Sequence, residues 1–171
     1  MTKTGIMTFH ASYNCGSILQ ALALQRVLAE DLGVENEIID FSNAGQQAVY
    51  SAYYPNDGWK NLAKNILCAG GIDRIRNHYD DYQAFIDENL RLSSQSFGRE
   101  EELRAVAKDY DALICGSDQV WNVDCLDGDD AYFLSFASEA KKVAYAPSFG
   151  GVDPHNSPEK RERVRGFLQS F

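Results

Sequence analysis

Apolar and polar positions alternate along this chain with two periods, and where each period holds decides which element is expected. Lys3 to Phe9 is a short β-prone run with Ile6 and Phe9 apolar, and it empties into the polar segment His10-Ala-Ser-Tyr-Asn-Cys-Gly-Ser17, which reads as a strand followed by a loop. From Ile18 to Leu32 the residues Ile18, Ala21, Leu22, Leu28, Ala29 and Leu32 fall on one helical face, with Gln20, Arg26, Glu30 and Asp31 opposite. Gly33 sits at the C′ position of that helix. A second strand at Glu37 to Phe41 completes a β-α-β opening of the length that a parallel crossover requires.

The middle departs from this alternation. Asn43 to Asp57 is polar and small, with Tyr50, Tyr53 and Tyr54 scattered through it, and is expected to be a loop. Trp59, Leu62, Ala63, Ile66 and Leu67 then recur at helical spacing, and beyond Gly70-Gly71 a second stripe runs through Ile75, Tyr79, Tyr82, Phe85, Ile86 and Leu90. Two helices joined at the double glycine are expected, their aromatic stripe packed into a core.

Regular order resumes with a helix from Arg99 to Lys108, whose acidic first turn suits a helix amino terminus. Ala112-Leu-Ile-Cys115 is the apolar run of a strand buried in a parallel sheet, ending in the polar Gly116-Ser-Asp-Gln-Val-Trp-Asn122. Tyr132-Phe-Leu134 is expected as a short strand and Lys142 to Ala146 as a further one, leading into Pro147 to Gly151. Ser157-Pro158 sets a cap and first turn for a last helix with the stripe Val164, Phe167, Leu168 and Phe171. The pattern predicts an α/β fold: a Rossmann-like, doubly wound, mostly parallel sheet spanning 1–171 as a single domain, with a helical insertion at about 58–91. Because a crossover helix normally delivers the chain to another strand, the ending also predicts a natural polypeptide that continues past Phe171.

Composition narrows the function. At 171 residues, 44% hydrophobic and 24% charged, the chain has room for one buried core. It lacks the run of about 18 apolar residues needed to span a bilayer and the h-region of a secretory signal, so the cytoplasm is the expected address. Its net charge of −9 argues against nucleic acid as a partner. Cys15, Cys68, Cys115 and Cys125 include no C-x-x-C pair, and free, mostly packed thiols are expected, with no metal site.

Three polar loops follow three expected strands, and in an open parallel sheet such loops gather at the carboxyl edge where ligands bind. Gly16 and Gly116 let a ligand approach the backbone, while Asn14, Ser17, Ser117, Asp118, Gln119 and Ser148 offer donors and acceptors suited to sugar hydroxyls. Asn14 or Ser17 is equally a helix cap, Asp118 equally the keeper of its own turn, and Trp121 either stacks on a sugar or packs beneath its loop. Gln25, polar on an apolar face, is expected to be structural. His10, at a strand end, is a weak catalytic candidate with no partner visible in sequence. None of the three loops holds a Lys or Arg, so an anionic ligand would need cations from elsewhere.

Thr8-Phe-His10, Asn14-Cys-Gly-Ser-Ile-Leu-Gln-Ala-Leu-Ala-Leu-Gln25, Glu37-Ile-Ile-Asp40, Tyr110-Asp-Ala-Leu-Ile-Cys-Gly-Ser-Asp-Gln-Val-Trp121 and Lys142-Val-Ala-Tyr-Ala-Pro-Ser-Phe-Gly150 together resemble the amino-terminal half of the polysaccharide pyruvyl transferase family. Gly-Ser-Asp-Gln-Val-Trp and the Asn-x-Gly-x-x-Leu-Gln helix entry are the most specific parts. The resemblance implies two Rossmann-like domains facing a cleft, similar to the GT-B arrangement, that move a pyruvyl group from phosphoenolpyruvate to sugar hydroxyls as a ketal. Phosphoenolpyruvate is then a donor substrate, and no cofactor is implied. It also implies that the donor-holding arginines and histidines belong mainly to a missing carboxy-terminal domain, leaving this half to contact the sugar or glycan acceptor. Two alternatives remain open: a GT-B nucleotide-sugar glycosyltransferase, and a noncatalytic sugar-binding or assembly module in which Val164, Phe167, Leu168 and Phe171 form a homo-oligomer contact.

Overall fold

A computed structural model of the chain describes residues 2–51, 53 and 58–171. Its centre is a five-stranded sheet of β1 (Lys3–Met7), β2 (Glu35–Phe41), β3 (Leu92–Phe97), β4 (Ala112–Cys115) and β5 (Lys141–Ala144), in the order β3-β2-β1-β4-β5. Every pairing is parallel. The helices are α1 (Cys15–Arg26), α2 (Ala44–Val49), α3 (Trp59–Cys68), α4 (Ile72–Asn89), α5 (Glu100–Val106) and α6 (Pro158–Leu168). The expected α/β, Rossmann-like class is therefore the observed one.

Strand periodicity builds a core on each face. Successive side chains of a strand point to opposite sides of the sheet. Ile6, Ile38 and Ile114 accordingly meet Ile18, Ala21, Leu24 and Leu28 from the α1 segment and Ile86 of α4. Their neighbours Met7, Ile39, Leu113 and Cys115 instead meet Leu103 of α5, Val164 of α6 and the buried run Tyr132-Phe133-Leu134. At roughly 1.5–3 kcal/mol for each fully buried large apolar side chain, these two layers are the main source of stability.

Several boundaries differ from the sequence reading for local reasons. β1 ends at Met7, two residues short of the expected Phe9. α1 begins at Cys15 because Asn14 caps it, and past Arg26 it widens into a π turn at Val27–Asp31. Leu24, ahead of the wide turn, is buried; past that turn a 3.6-residue stripe falls out of phase, and Leu32 is 64% exposed. Gly33 does close the segment, at φ +64°. The expected loop after β2 contains α2, started by Asn43, whose side chain accepts a hydrogen bond from the Gln46 amide; Ala52 and positions 54–57 of that loop lie outside the described residues.

The strand β3 was not legible, and it pairs only with β2, at one edge of the sheet. Tyr132–Leu134 is no strand; Asp130–Phe133 forms a buried 3₁₀ turn. The two helices on either side of the double glycine form as expected, but α3 contributes nothing to the core: it has no buried residue, and Trp59 and Leu67 are 76% and 84% exposed. On α4 only Ile72 and Ile86 are buried, while Tyr79 and Tyr82 lie against Tyr13 with ring centroids 4.7 and 5.9 Å away. In the last helix Val164 is buried, Phe167 stacks on Phe133 at 4.9 Å and Phe171 meets Trp121 at 5.7 Å. Val164 and Phe167 cover the chain's own core, while Leu168 and Phe171 are 39% and 38% exposed. Among the described residues no helix is long and apolar enough to cross a membrane.

Gln25 fixes the edge strand. Its amide nitrogen donates to the Arg91 carbonyl at 2.8 Å and its oxygen accepts from the Arg91 N–H at 2.8 Å, so one buried side chain ties α1 to the entry of β3. Replacing it by alanine leaves both backbone groups without these partners. Gln25→Ala is expected to lower stability by about 1–3 kcal/mol, read as an earlier midpoint in urea denaturation with an unchanged slope.

Candidate functional site

The strand order reverses direction between β1 and β4: the chain moves outward through β2 and β3 and returns to pair β4 beside β1. In open parallel sheets the crevice at such a switch point, outside the carboxyl ends of the strands, is where ligands bind. The loops after β1 and β4 flank it, and the loop after β5 adjoins. Asp118 bridges Pro147 in parallel register, the Ser148 N–H donates to the Asp118 carbonyl at 2.9 Å, and the Trp121 N–H donates to the Ser148 carbonyl at 3.1 Å. The three expected segments thus share one rim.

Close backbone approach makes this rim possible. Gly116 has φ +111°, and a Cβ there would stand 2.1 Å from the Tyr145 carbonyl oxygen. Only glycine fits. Asp118 follows at φ +88°, a conformation costing a non-glycine residue on the order of 1–3 kcal/mol unless its surroundings hold it. They do: its Oδ2 accepts from the Ser17 hydroxyl at 2.6 Å and its Oδ1 from the Gln119 N–H at 2.7 Å.

Gln20 joins the two principal loops. Its amide nitrogen donates to Thr8 Oγ1 at 2.7 Å and to the Ser17 carbonyl at 2.8 Å, while its oxygen accepts from the Ser117 hydroxyl at 2.8 Å and the Ser117 N–H at 3.2 Å. Thr8 in turn donates to the Ser117 carbonyl at 3.1 Å. The helical spacing sets Gln20 on the polar face. Two signals could have found it: Gln20 ends the Asn-x-Gly-x-x-Leu-Gln entry, and it stands three residues from Ser17 and so shares that side of the helix.

Above this network lies a cavity of about 410 Å³ lined among others by Asn14, Gly16, Ser17, Ser117, Asp118 and Gln119. These are six of the sequence candidates. Gly116 is buried beneath them and Ser148 is exposed beside them, neither lining the space. Trp121 is 8% exposed, stacks on Phe133 at 5.3 Å and donates from Nε1 to the Tyr132 carbonyl; the ring packs beneath the loop. Asn14 is the α1 cap, its Oδ1 accepting from the Gly16 and Ser17 N–H groups at 2.8 and 3.4 Å, so those two amides already have an acceptor. Phe9, Ser12, Tyr50 and Asp127 also line the cavity and were not foreseen. Tyr50 and Asp127 reach it from distant segments, which no local pattern announces.

His10 lies elsewhere. It is 1% exposed, with Nε2 3.0 Å from Asp40 Oδ1 and Nδ1 3.3 Å from the Thr8 carbonyl, and it lines an adjoining cavity of about 380 Å³. The hydrogen bond to His10, with a second from the Ser96 hydroxyl, holds the Asp40 carboxyl below the usual carboxylate range against the opposing effect of burial. Neither cavity has a Lys or Arg in its lining. The four cysteines are free, but only Cys115 is buried, where desolvation pushes its thiol up to about 12; Cys15 and Cys68 are exposed, contrary to the expectation of packed thiols. Among the described residues no group of three or more His, Cys, Asp or Glu could hold a metal ion.

Sheet order, switch-point cavity and uncharged or acidic lining define a Rossmann-like domain with a polar cavity at its carboxyl edge. A family model for polysaccharide pyruvyl transferase matches residues 14–171, and the chain belongs to that family. No curated protein and no solved structure matches it.

Gln20→Leu keeps the bulk but removes all four bonds of the amide, and is expected to cost about 2–4 kcal/mol in urea unfolding, because the Ser117 N–H and hydroxyl lose their acceptor. Asp40 supplies a pH test. Its carboxyl is lowered on folding, so its contribution is complete above the unfolded Asp value of about 4 and is lost as pH falls through the folded one. The stability gap between the native chain and Asp40→Asn should therefore be full at neutral pH and close below about pH 4, measured by denaturation at each pH.

Proposed function

We propose that this domain binds the acceptor sugar in a transferase that moves a pyruvyl group from phosphoenolpyruvate to two hydroxyls of a polysaccharide unit. The observation that carries the reading is the switch-point cavity itself, rich in hydroxyl, amide and carboxylate groups and without a Lys or Arg in its lining, in a chain of this family. Such a lining suits neutral polyols. A ligand bearing both a carboxylate and a phosphate would meet Asp118 and Asp127 with no opposing cation in this pocket, so donor-gripping cations must come from outside it.

The chemistry balances without a cofactor. One sugar oxygen bonds to C2 of the enolpyruvyl group as C3 takes a proton and becomes a methyl. A second sugar oxygen then bonds to C2 as the C–O bond to phosphate breaks, and the second hydroxyl proton leaves with phosphate. What the domain supplies is orientation: both hydroxyls must be presented side by side to one carbon, and positioning of this kind is a large part of what an enzyme can contribute to such a step. Ser117 and Asp118, locked by Gln20 and Ser17, are rigid enough to do so, and Asp118 can accept a hydrogen bond from an acceptor hydroxyl.

The test is pyruvyl ketal formation by the full-length gene product, followed with phosphoenolpyruvate and glycan acceptor by phosphate release, with uridine diphosphate sugars as the control donor. Alanine at Asn14, Ser17, Asp118 and Gln119 together is expected to lower turnover by at least about 100-fold. Donor-dependent activity that survives all four substitutions, or activity only with the nucleotide sugars, overturns the reading.

A further inference from the structure

Next to the acceptor cavity lies the second one, and its contents are not explained by the first. Gln46 is 1% exposed; its amide nitrogen donates to the Ser12 hydroxyl at 3.0 Å, yet its side-chain oxygen has no hydrogen-bond partner. A buried amide oxygen left unpaired costs about 1–3 kcal/mol. A native fold that keeps one beside a cavity has a place for a donor to arrive. Asp40 lines the same space with its carboxylate kept ionised by His10 and Ser96, and is ready to accept further hydrogen bonds. Two tyrosines complete it: Tyr13 and Tyr50 stand 5.4 Å apart, ring edge to ring face. Burial raises both phenols above their ordinary value, so at neutral pH they remain protonated donors on apolar rings.

An ionised carboxylate, an unpaired amide oxygen and two aromatic rings, with no Lys or Arg in the lining, exclude an anion and call for a neutral ligand that donates several hydrogen bonds and has an apolar face. A sugar ring fits that description. The two cavities are neighbours: Tyr50 lines both, and Ser12 of the first is bonded to Gln46 of the second. Their volumes of about 380 and 410 Å³ are each within the range of small-molecule sites, roughly 300–1,000 Å³.

We infer that the Asp40–Gln46 cavity is a second saccharide subsite, holding the unit next to the one that is modified, so that the acceptor is recognised as a chain of at least two sugars crossing Tyr50. The inference rests on the acceptor reading above and adds the size of the substrate to it. It assigns Asp40 and Gln46 to hydrogen bonding of ligand hydroxyls, and Tyr13 and Tyr50 to contact with the sugar face. His10 is a positioning residue that holds Asp40.

The test uses the intact chain and matched mono-, di- and trisaccharides of the common hexoses, first as a printed array and then by calorimetry on the series that binds. A disaccharide is expected to bind at least about tenfold more tightly than its terminal monosaccharide. Gln83 and Gln47 are exposed at this cavity, and Gln83→Trp and Gln47→Trp each fill it, giving up only exposed hydrogen bonds, among them those from the Tyr13 hydroxyl to Gln83 and from Gln47 to the Ser42 carbonyl. Each should erase the gain from the second sugar while leaving monosaccharide affinity within about twofold, with circular dichroism confirming the fold. Equal affinity for one and two sugars, or a gain that survives both substitutions, overturns the second subsite; if Asp118→Ala still abolishes monosaccharide binding, the acceptor reading stands without it. Failure of every sugar to bind removes both.

Discussion

The amide of Gln20 is the constraint from which the rest of the site follows. Two loops leave adjacent strands, β1 and β4, and beyond the last backbone bond, from the Gly116 N–H to the Met7 carbonyl, side chains hold them together. Gln20 does so from the helix between them, donating to Thr8 and accepting from Ser117. Only a side chain with both a donor and an acceptor can serve; a glutamate could accept from Ser117 but not donate to Thr8, and a lysine the reverse. With Ser117 fixed, Asp118 is delivered at its left-handed φ to the Ser17 hydroxyl, and the bridge to Pro147 brings the third loop into place.

Charge then decides what the assembled rim can hold. The lining of both cavities contains no Lys or Arg while Asp40, Asp118 and Asp127 border them, and the chain as a whole carries −9. Local and global fields agree in sign. A neutral polyol pays little to enter such a field, whereas a doubly anionic donor is disfavoured until cations are brought to it. In the proposed function the binding labour is therefore divided: this surface holds hydroxyls, and the groups that hold phosphate and carboxylate approach from the other side of the reacting carbon.

The sheet was legible in the sequence wherever burial forced a pattern. Ala112–Cys115 was located to the residue because an interior parallel strand must be apolar on both faces, and the polar loops behind β1, β4 and β5 marked their carboxyl ends. β3 escaped because its interior, Ser-Ser-Gln-Ser, carries no apolar alternation and belongs to an edge; what fixes it is the buried amide of Gln25, a contact over 66 residues of sequence. The error at α3 was of the opposite kind. Helical spacing of Trp59, Leu62, Ile66 and Leu67 correctly gave a helix, but periodicity reports an apolar face and not what covers it, and among the described residues that face is exposed. At the site, local motifs supplied Asn14, Ser17, Ser117, Asp118 and Gln119, while Tyr50 and Asp127 arrive through tertiary packing alone.

His10 shows how a titratable side chain at a strand end can tie neighbouring strands together. Its ring is buried, and both nitrogens face oxygen acceptors, the Thr8 carbonyl on one side and Asp40 on the other. The ring connects strands: Asp40 belongs to β2 and is met in turn by Ser96 of β3, so His10, Asp40 and Ser96 run across three consecutive segments of the sheet edge as one hydrogen-bonded row. That row forms a side of the second cavity in the way that Gln20 and Ser117 form the base of the first. The carboxyl edge of the sheet is thus paved on both sides of β1 by side chains that fix acceptor oxygens in place, and under the proposed function that surface selects an acceptor by where its hydroxyl groups fall.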